Sequence, residues 1–488
     1  MPTASQHSYH PIIYVRGFAA TQGEIEETVA DPYMGFNIGS TKARVAWTGD
    51  VKRFYFESPL VRLMSDHKYE DVFVDGDDLI AADRADHPVP YRCIVIYRYY
   101  DEASKDFGDG KGTPPIEHFA RGLGELILRL RDKVCANLDN RMTPKDFRVH
   151  LVAHSMGGLV CRAFLQNPKL RCKQMPGEDA SLAEKRGATA SNAVDKLFTY
   201  ATPHNGIDMR IVRNVPGWLS FGDANNFNRK KMAEYLGMSE GDDVDDVSVV
   251  KNFRPERIFN LVGTNPRDYT VAGGVSAWAG GDGSDGLVRI ENATTHGPGP
   301  DDKQVCSPRA FVHRSHSGHY GIVNSEEGYQ NLTRFLFGAL RVDGILDIDD
   351  ITLPLEVQKK FDEGKTVHAS YQFEIAASVR GCQWQMTRRE VRENSASFMF
   401  MKRHYEGGFI WRELILVEAT PDAKALGGWR IRWGFQRINP GKPGKVAEPT
   451  ALDGGAAAAP GLTFDIPIAQ KVRPGLRGKL RIEARPWG

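Results

Sequence analysis

The sequence predicts an α/β domain, built on a mostly parallel sheet flanked by helices, followed by an all-β, sandwich-like domain. Over the first part of the chain, short apolar runs alternate with amphipathic helical stripes, as in parallel sheets whose strands are joined by helices. Beyond about Asp347 the segments are β-rich, several alternate with period two, and turn-forming residues separate them. A chain of 488 residues is long enough for two domains. We therefore expect a first domain over residues 1–345 and a β-rich accessory domain over 346–488.

Apolar runs mark the strands of the first domain. The predicted strands are Pro11–Val15, Tyr91–Tyr97, Phe147–Val152, Lys196–Ala201, Arg257–Gly263 and Ala310–Arg314. One helix is predicted after Pro115, with an apolar stripe from Ile116 to Val134, and a last helix opens at Ser325 with a cap and acidic residues in its first turn. Residues from about 20 to 90 are expected to form a long insertion with an edge hairpin, and the polar stretch after Gln166 a surface excursion.

Composition narrows the class of protein. A net charge of +1 gives no general case for nucleic acid binding. There is no apolar run of about 18 residues, as a transmembrane helix would need, and no secretory signal is visible at the amino terminus. The six cysteines show neither paired nor metal-type spacing, which fits a reducing compartment. We expect a protein that is cytoplasmic as synthesised, with export by a signal-independent secretion system left open.

A serine between a strand and a helix is the strongest functional signal. The segment Ala153-His154-Ser155-Met156-Gly157 has small residues two before and two after the serine, where the chain turns sharply from strand to helix. Such a turn exposes the hydroxyl at the top of a sheet, beside backbone N–H groups and a helix amino terminus. Ser155 is therefore the predicted nucleophile.

A serine nucleophile needs a base and an acid, which follow it along the chain in the order acid, then histidine. Asp285, in the glycine-rich turn Gly283–Gly286, is the predicted acid, with Asp268 and Asp282 as competitors. The base follows the last strand of the sheet. We favour His319, because it precedes a Gly-Ile-Val run and a capped helix, and His316 is the alternative.

Backbone donors for an oxyanion are expected from two loops. One donor is the N–H of Met156, the residue after the nucleophile. The other is the N–H of Phe18, because Arg16-Gly17-Phe18 directly follows the first strand and Gly17 lets the chain bend back over the sheet edge. An ordinary strand–helix turn is the alternative interpretation of this loop.

The insertion over residues 207–256 is too long for a tight crossover between strands. It carries apolar residues near Pro216 and a helix-like stretch, NRKKMAEYLG. Long insertions near a site often act as lids, so we expect a cap that could bind acyl chains. The alternative is a solvated excursion with a small core of its own.

Taken together, these motifs resemble those of the α/β-hydrolase superfamily, in its lipase branch. AHSMGG is similar to the nucleophile turn of the lecithin–cholesterol acyltransferase-like and GPI-inositol-deacylase-like lipases, and TYATPHNG to the segment after their following strand. GSDGLV resembles their acid motif and GHYGIV their histidine loop, which implies the acid role for Asp285 and the base role for His319. Arg16 departs from the His-Gly pair usual in those lipases, and the β-rich domain resembles no family that we can name.

The resemblance implies a carboxylic ester hydrolase, a lipase or phospholipase, that needs no metal or organic cofactor. Its expected partners are a lipid or other ester substrate and a membrane surface contacted peripherally, with no nucleic acid and no protein partner assigned to the β-rich domain. A bacterial effector that attacks membrane lipids is a specific form of this hypothesis. An acyltransferase with the same residues, and a non-catalytic binding module on a hydrolase scaffold, are the alternatives.

Overall fold

A computed structural model of the chain describes most of the first domain and the regular segments of the second. It describes residues 9–351 apart from 20–21, 40, 75–76, 79–87, 111, 208–224, 239–241, 267–283, 300–303, 319 and 339. Beyond residue 351 it describes 355–363, 367–372, 376–378, 385–388, 398–403, 409–411, 417–421, 429–433, 462–468 and 476–486. The chain divides into two compact units, Met1–Phe337 and Gly338–Gly488.

The elements of the first unit alternate between strands and helices. Its strands are β1 (Ile12–Val15), β2 (Thr41–Val45), β3 (Val51–Tyr55), β4 (Glu70–Asp71), β5 (Phe73–Val74), β6 (Asp77–Asp78), β7 (Cys93–Ile96), β8 (Val149–His154), β9 (Val194–Tyr200), β10 (Ile258–Gly263), β11 (His296–Pro298), β12 (Gln304–Cys306) and β13 (Arg309–Val312). Its helices are α1 (Gln22–Ala30), α2 (Pro59–His67), α3 (Ile116–Ala136), α4 (Met156–Gln166), α5 (Ala180–Asn192), α6 (Arg229–Tyr235) and α7 (Glu326–Phe337).

A seven-stranded sheet in the order β13-β10-β9-β8-β1-β7-β4 forms the centre of the first unit. Every neighbouring pair in this sheet is parallel. The central strands β1, β8, β9 and β10 are almost wholly buried, as expected for a sheet covered on both faces. Because all strands run the same way, the loops that follow them meet at one edge, the carboxyl edge.

The predicted α/β class and the predicted strands of the sheet are confirmed. Each predicted run overlaps an observed strand, and the ends differ by at most two residues. The apolar stripe after Pro115 forms α3, and the capped segment at Ser325 precedes α7. The hairpin expected in the insertion over residues 20–90 is the antiparallel pair β2–β3. No helix that the structure describes is both long and apolar enough to cross a membrane.

The stretch after Gln166, expected to be a surface excursion, contains a helix that was not predicted, α5, and most of its residues are at least partly exposed. Asp179 caps this helix by accepting a hydrogen bond from the N–H of Ser181 at 2.8 Å. The buried residues of α5 are small ones, Gly187, Ala190 and Ser191, and the helix contacts α3. A buried face made of small residues produces little apolar periodicity, so the sequence pattern missed it.

The second unit contains antiparallel strands and one described helix. Its strands are β14 (Leu340–Ile351), β15 (Val367–Gln372), β16 (Ala376–Ser378), β17 (Gln385–Arg388), β18 (Phe398–Arg403), β19 (Phe409–Trp411), β20 (Val417–Pro421), β21 (Trp429–Trp433), β22 (Leu462–Ile468) and β23 (Leu476–Pro486), and its helix is α8 (Leu355–Asp362). Five strands form a sheet in the order β20-β21-β14-β23-β22. The predicted boundary at residue 345 falls inside β14, which pairs with β23 along its length and with β21 over Gly344–Ile348, and so belongs to this unit.

One buried arginine joins the nucleophile helix to the insertion. Arg162 on α4 is fully buried and donates hydrogen bonds to the carbonyl oxygens of His204, Val247 and Val249 at 2.8, 2.9 and 3.1 Å. Burial lowers the pKa of Arg162 to about 10, so the side chain remains a cation at neutral pH. This cation therefore fixes the loop after β9 and the end of the insertion against α4.

We expect Arg162→Met to lower the free energy of unfolding of the first unit by about 2–4 kcal/mol, because several buried carbonyls lose their donor. Urea unfolding followed by tryptophan fluorescence measures the change. Arg254→Met is the matched control, since Arg254 is 59% exposed and lies 3.8 Å from Glu256, and it should shift stability by less than about 0.5 kcal/mol. Equal effects of the two substitutions would contradict the assigned role of Arg162.

Candidate active site

Ser155 occupies the sharp turn between β8 and α4, as the sequence predicts. Its backbone has φ 52° and ψ −125°, a conformation that costs a residue with a Cβ atom of the order of 1–3 kcal/mol. The turn is fixed to the neighbouring strand, because the N–H of Ser155 donates a hydrogen bond to the carbonyl of Tyr200 on β9 at 2.9 Å. The hydroxyl is thereby presented at the carboxyl edge of the sheet, at the start of α4.

Two glycines allow the surrounding chain to approach this turn. A Cβ atom on Gly157 would lie 2.3 Å from the carbonyl oxygen of Val15, at the end of β1. A Cβ atom on Gly17 would lie 2.8 Å from Cβ of Ser155. Real Cβ atoms do not approach so closely, so any larger residue at either position would separate the loop after β1 from the nucleophile turn.

Asp285 lies at the carboxyl edge and is 1% exposed. Its Oδ1 accepts hydrogen bonds from the backbone N–H groups of Leu287 and Val288 at 3.0 and 2.7 Å. These bonds fix the carboxylate, so that Oδ2 lies 2.9 Å from Nδ1 of His316. A second bond ties the two loops together, because the backbone N–H of His316 donates to the carbonyl of Asp285 at 2.9 Å.

His316 bridges the serine and the aspartate. Its Nδ1 faces Asp285, and its Nε2 lies 2.9 Å from Oγ of Ser155. An ionised carboxylate only accepts hydrogen bonds, so we assign the proton of the neutral ring to Nδ1. Nε2 is then the acceptor for the Ser155 hydroxyl. The ring of His316 is 4% exposed, which shields this chain of hydrogen bonds from bulk water.

The histidine in contact with Ser155 is thus His316, the alternative base. The favoured candidate, His319, lies outside the described residues, as do the competing acids Asp268 and Asp282. The sequence favoured His319 because of the motif that follows it, and a linear motif does not reveal which residue of a short loop faces the serine.

The expected oxyanion donors belong to the two chain segments that meet at Ser155. Met156 is the first residue of α4, where backbone N–H groups have no partner within the helix. Phe18 follows Gly17, which packs directly on Ser155. The sequence analysis missed the two tyrosines that hold this loop. Tyr99 donates its hydroxyl to the carbonyl of Arg16 at 2.7 Å, and the hydroxyl of Tyr100 accepts from the N–H of Ala19 at 2.8 Å.

Both tyrosines lie in the loop after β7, at the carboxyl edge, where their tilted rings are in contact, with centroids 4.4 Å apart, and lie near Phe119 of α3. The signal available in the sequence was the pair Tyr99 and Tyr100, two neighbouring aromatic residues just beyond a predicted strand. It could not identify the partners, because the loop after β1 lies far from Tyr99 along the chain.

His154 is a second residue that the sequence analysis did not assign. Its Nε2 donates to the backbone carbonyl of His316 at 3.0 Å. Burial, with a smaller effect of the neighbouring His316, lowers the pKa of His154 to about 3, so its ring stays neutral at physiological pH. His154 therefore connects the nucleophile turn to the loop that carries His316.

His204 lies near this edge but faces the interior. It is fully buried, and its Nε2 lies 3.1 Å from Oγ1 of Thr199. Burial, together with the charge of Arg162, moves the pKa of His204 well below its usual value. These contacts are those of a structural residue of the core.

The insertion that was predicted as a cap reaches the loop of Phe18. The ring of Phe227 meets that of Phe18 edge to face, with centroids 6.3 Å apart. The helix-like stretch forms α6, whereas Trp218, Leu219 and Phe221 lie outside the described residues.

The geometry can activate a serine. A buried imidazole held by a carboxylate can take the proton of Ser155, and backbone N–H groups beside the hydroxyl can stabilise an oxygen that becomes negative. Among the described residues, the group of side chains with metal-ligand spacing is His10, His150 and Asp195, at the other edge of the sheet.

The parallel sheet, the nucleophile turn after β8 and the order serine, aspartate, histidine define the α/β-hydrolase fold, which confirms the predicted fold class. No family model matches the chain, and no curated protein is similar to it in sequence.

Similar solved structures include lipase BlEst2 of Bacillus licheniformis in its mature form, at 13% identity and a TM-score of 0.31, with 67% of this chain and 92% of that chain covered. Phospholipase PlaB of Legionella pneumophila is similar at 13% identity and a TM-score of 0.28, over 87% and 80% of the two chains. EstA of Clostridium botulinum is similar at 11% identity and a TM-score of 0.29, over 68% and 87%. Likeness at this level carries no argument about activity.

We expect Tyr99→Phe to slow the labelling of Ser155 by a fluorophosphonate about tenfold, because the loop of Phe18 loses one of its hydrogen bonds. The effect should be smaller than the loss of an oxyanion donor itself, which lowers the rate about 100-fold or more. The rate of labelling by a fluorescent probe measures this. Tyr97→Phe is the matched control, since the Tyr97 hydroxyl donates to the carbonyl of Phe119 on α3 at 2.8 Å, and it should leave the rate unchanged. Equal rates in all three proteins would contradict the role of Tyr99.

Proposed function

We propose that the protein is a serine hydrolase that cleaves carboxylic esters of lipids. The observation that carries the proposal is the continuous chain of hydrogen bonds from Ser155 through His316 to Asp285, with 2.9 Å at each of its two contacts. It joins three separate loops at the carboxyl edge and is buried at every member. A serine, a histidine and a carboxylate in this geometry are what nucleophilic catalysis on an acyl group requires.

In the proposed reaction, Oγ of Ser155 attacks the ester carbonyl while Nε2 of His316 accepts its proton. His316 then returns the proton to the leaving alcohol, which departs as the acyl-enzyme forms. Water, deprotonated by Nε2 of His316, attacks the acyl-enzyme. As the bond from the acyl carbon to Oγ of Ser155 breaks, the imidazolium returns its proton to Oγ, which releases the acid and restores Ser155. Asp285 keeps Nδ1 protonated and stabilises the imidazolium that forms in each step.

The N–H groups of Phe18 and Met156 are the proposed donors to the oxyanion. Each would bond to the former carbonyl oxygen as it becomes negative, an effect worth several kcal/mol for a well-placed donor. The support for Phe18 is the packing of Gly17 on Ser155 and the anchoring of the loop by Tyr99 and Tyr100.

The lipid part of the proposal rests on the insertion over residues 207–256, which we propose is a cap. The contact between Phe227 and Phe18 supports an apolar surface next to the nucleophile. An acyl chain would be held there, and a membrane contacted peripherally would supply the substrate. Transfer of the acyl group to an alcohol instead of water uses the same residues, so an acyltransferase is the neighbouring hypothesis.

We expect His316→Ala to reduce the hydrolysis of a short p-nitrophenyl ester by at least about a thousandfold, because Ser155 loses its base. His319→Ala is the matched control, in the same loop, and should retain most of the activity. Steady-state kinetics measures both, with circular dichroism to verify folding. Loss of activity in His319→Ala with activity retained in His316→Ala would move the base role back to His319.

The substrate class is tested with short esters, triacylglycerol and defined phospholipids, each offered to the wild type and to Ser155→Ala. We expect the wild type to cleave long-chain lipid esters and Ser155→Ala to be inactive on every substrate, with free fatty acid as the measured product. Hydrolysis of short esters alone would contradict a lipid substrate, and activity that persists in Ser155→Ala would contradict the mechanism.

The same panel separates the alternatives. An acyl-alcohol product formed in preference to free acid when alcohol is present would indicate an acyltransferase. A folded protein that does not react with a fluorophosphonate would favour a binding module that uses the hydrolase domain as a scaffold.

A further inference from the structure

Two histidines and an aspartate meet at the amino edge of the central sheet, the edge opposite to Ser155. His10 comes just before β1, His150 is the second residue of β8, and Asp195 is the second residue of β9. These three strands are neighbours, with Ile12 opposite His150 and His150 opposite Lys196. Since β8 runs from His150 to the nucleophile turn, the two sites are roughly 16 Å apart along this strand. We call these three residues the His10 cluster.

The side chains of the His10 cluster converge on one carboxylate oxygen. Oδ2 of Asp195 lies 3.8 Å from Nε2 of His10 and 3.6 Å from Nδ1 of His150. One potential ligand atom from each residue falls within 4.8 Å of the others. The ligands of a tetrahedral zinc ion, with bonds of about 2.0–2.1 Å, are about 3.3 Å apart, so the three side chains would have to move closer together to bind one ion.

Neighbouring groups orient the ligands as they do at metal centres. Nδ1 of His10 makes a short hydrogen bond to the hydroxyl of Tyr91, which leaves Nε2 directed at the cluster. The guanidinium of Arg257 lies 3.9 Å from Oδ1 of Asp195, and therefore on the oxygen that does not face the histidines. A metal-bound imidazole typically has such a partner on its second nitrogen.

The two imidazoles of the His10 cluster are buried, but the carboxylate is partly open to solvent. His10 is 7% exposed and His150 is fully buried, whereas the side chain of Asp195 is 22% exposed. Water could complete the coordination on the exposed side, next to Asp195.

We propose that the His10 cluster binds a divalent transition-metal ion of the zinc class through Nε2 of His10, Nδ1 of His150 and Oδ2 of Asp195. Two imidazoles and one carboxylate suit zinc better than calcium or magnesium, which prefer oxygen ligands. The ion would tie β1, β8 and β9 together at their amino ends. It would act on stability, because it lies at the edge away from the proposed reaction.

Nearby cations limit the affinity of the site. Arg148, Lys196 and Arg257 all act on the electrostatics of the cluster. The ammonium of Lys196 is directed at the carbonyl oxygens of Phe335 and Leu336, at 3.0 and 2.9 Å, which partly satisfies its charge. The cluster has one anionic ligand, Asp195, and several cations close to it. We therefore expect it to bind zinc less tightly than a centre made of four cysteines.

The test is calorimetric titration of Zn²⁺ into the full chain, prepared without a polyhistidine tag and stripped with a chelator. We expect one tight site per chain, a higher thermal midpoint with zinc, and no such response to Ca²⁺ or Mg²⁺. Asp195→Asn should weaken binding by about 100-fold or more, because it removes a ligand charge while nearly preserving shape, and Tyr91→Phe should weaken it about tenfold. X-ray absorption of the loaded protein should show imidazole in the shell around zinc.

Two controls distinguish this cluster from other zinc-binding groups. His118→Ala removes a surface histidine that lies 2.7 Å from Glu102, and it should leave the affinity unchanged. His316→Ala tests the imidazole beside Ser155, and zinc binding should persist in it. A wild-type chain that binds no zinc, or affinity that is lost in His316→Ala and kept in Asp195→Asn, would overturn the proposal.

Discussion

The conformation of Ser155 is the constraint on which the rest of the carboxyl edge depends. A non-glycine residue at φ 52° is held there only if the surrounding structure fixes the turn. The bond from its N–H to Tyr200 and the close packing of Gly157 on the end of β1 supply that support. The cost of the turn is thus offset by buried strands on either side of β8, which makes the position of the hydroxyl a property of the whole sheet.

His316 and Asp285 are also fixed by hydrogen bonds to or from backbone groups. Asp285 is fixed by the N–H groups of Leu287 and Val288, and the loop of His316 by bonds to Asp285 and His154. Side chains fixed in this way have little conformational freedom left to lose. The short loops of this edge therefore behave as a preorganised group.

The sheet has different chemistry at its two edges, and β8 contributes to both. Ser155 follows its carboxyl end, and His150 lies near its amino end. If the His10 cluster holds a metal ion, the strand that carries the nucleophile is fixed at both ends. Stability and reactivity would then be supplied by separate groups of residues on one rigid element, so that a change in one need not disturb the other.

Local pattern determined much of this protein. Six of the seven strands of the sheet, the helices α3, α4 and α7 and the turn at Ser155 follow from apolar periodicity and turn chemistry, which act over a few residues. The prediction of Asp285 as the acid rests on its turn and on chain order. Helix α5 was missed because its buried face consists of small residues, and the start of β14 was missed because its partners β21 and β23 come much later in the chain.

Tertiary structure alone decided which groups meet. His316 contacts Ser155 because its loop is tied to Asp285 and His154, and neither bond can be deduced from spacing along the chain. The anchoring of Arg16 and Ala19 by two tyrosines and the convergence of His10, His150 and Asp195 have the same origin. In each case residues distant in sequence are brought together by the register of parallel strands, whereas the sequence by itself specifies the strands and the nucleophile turn.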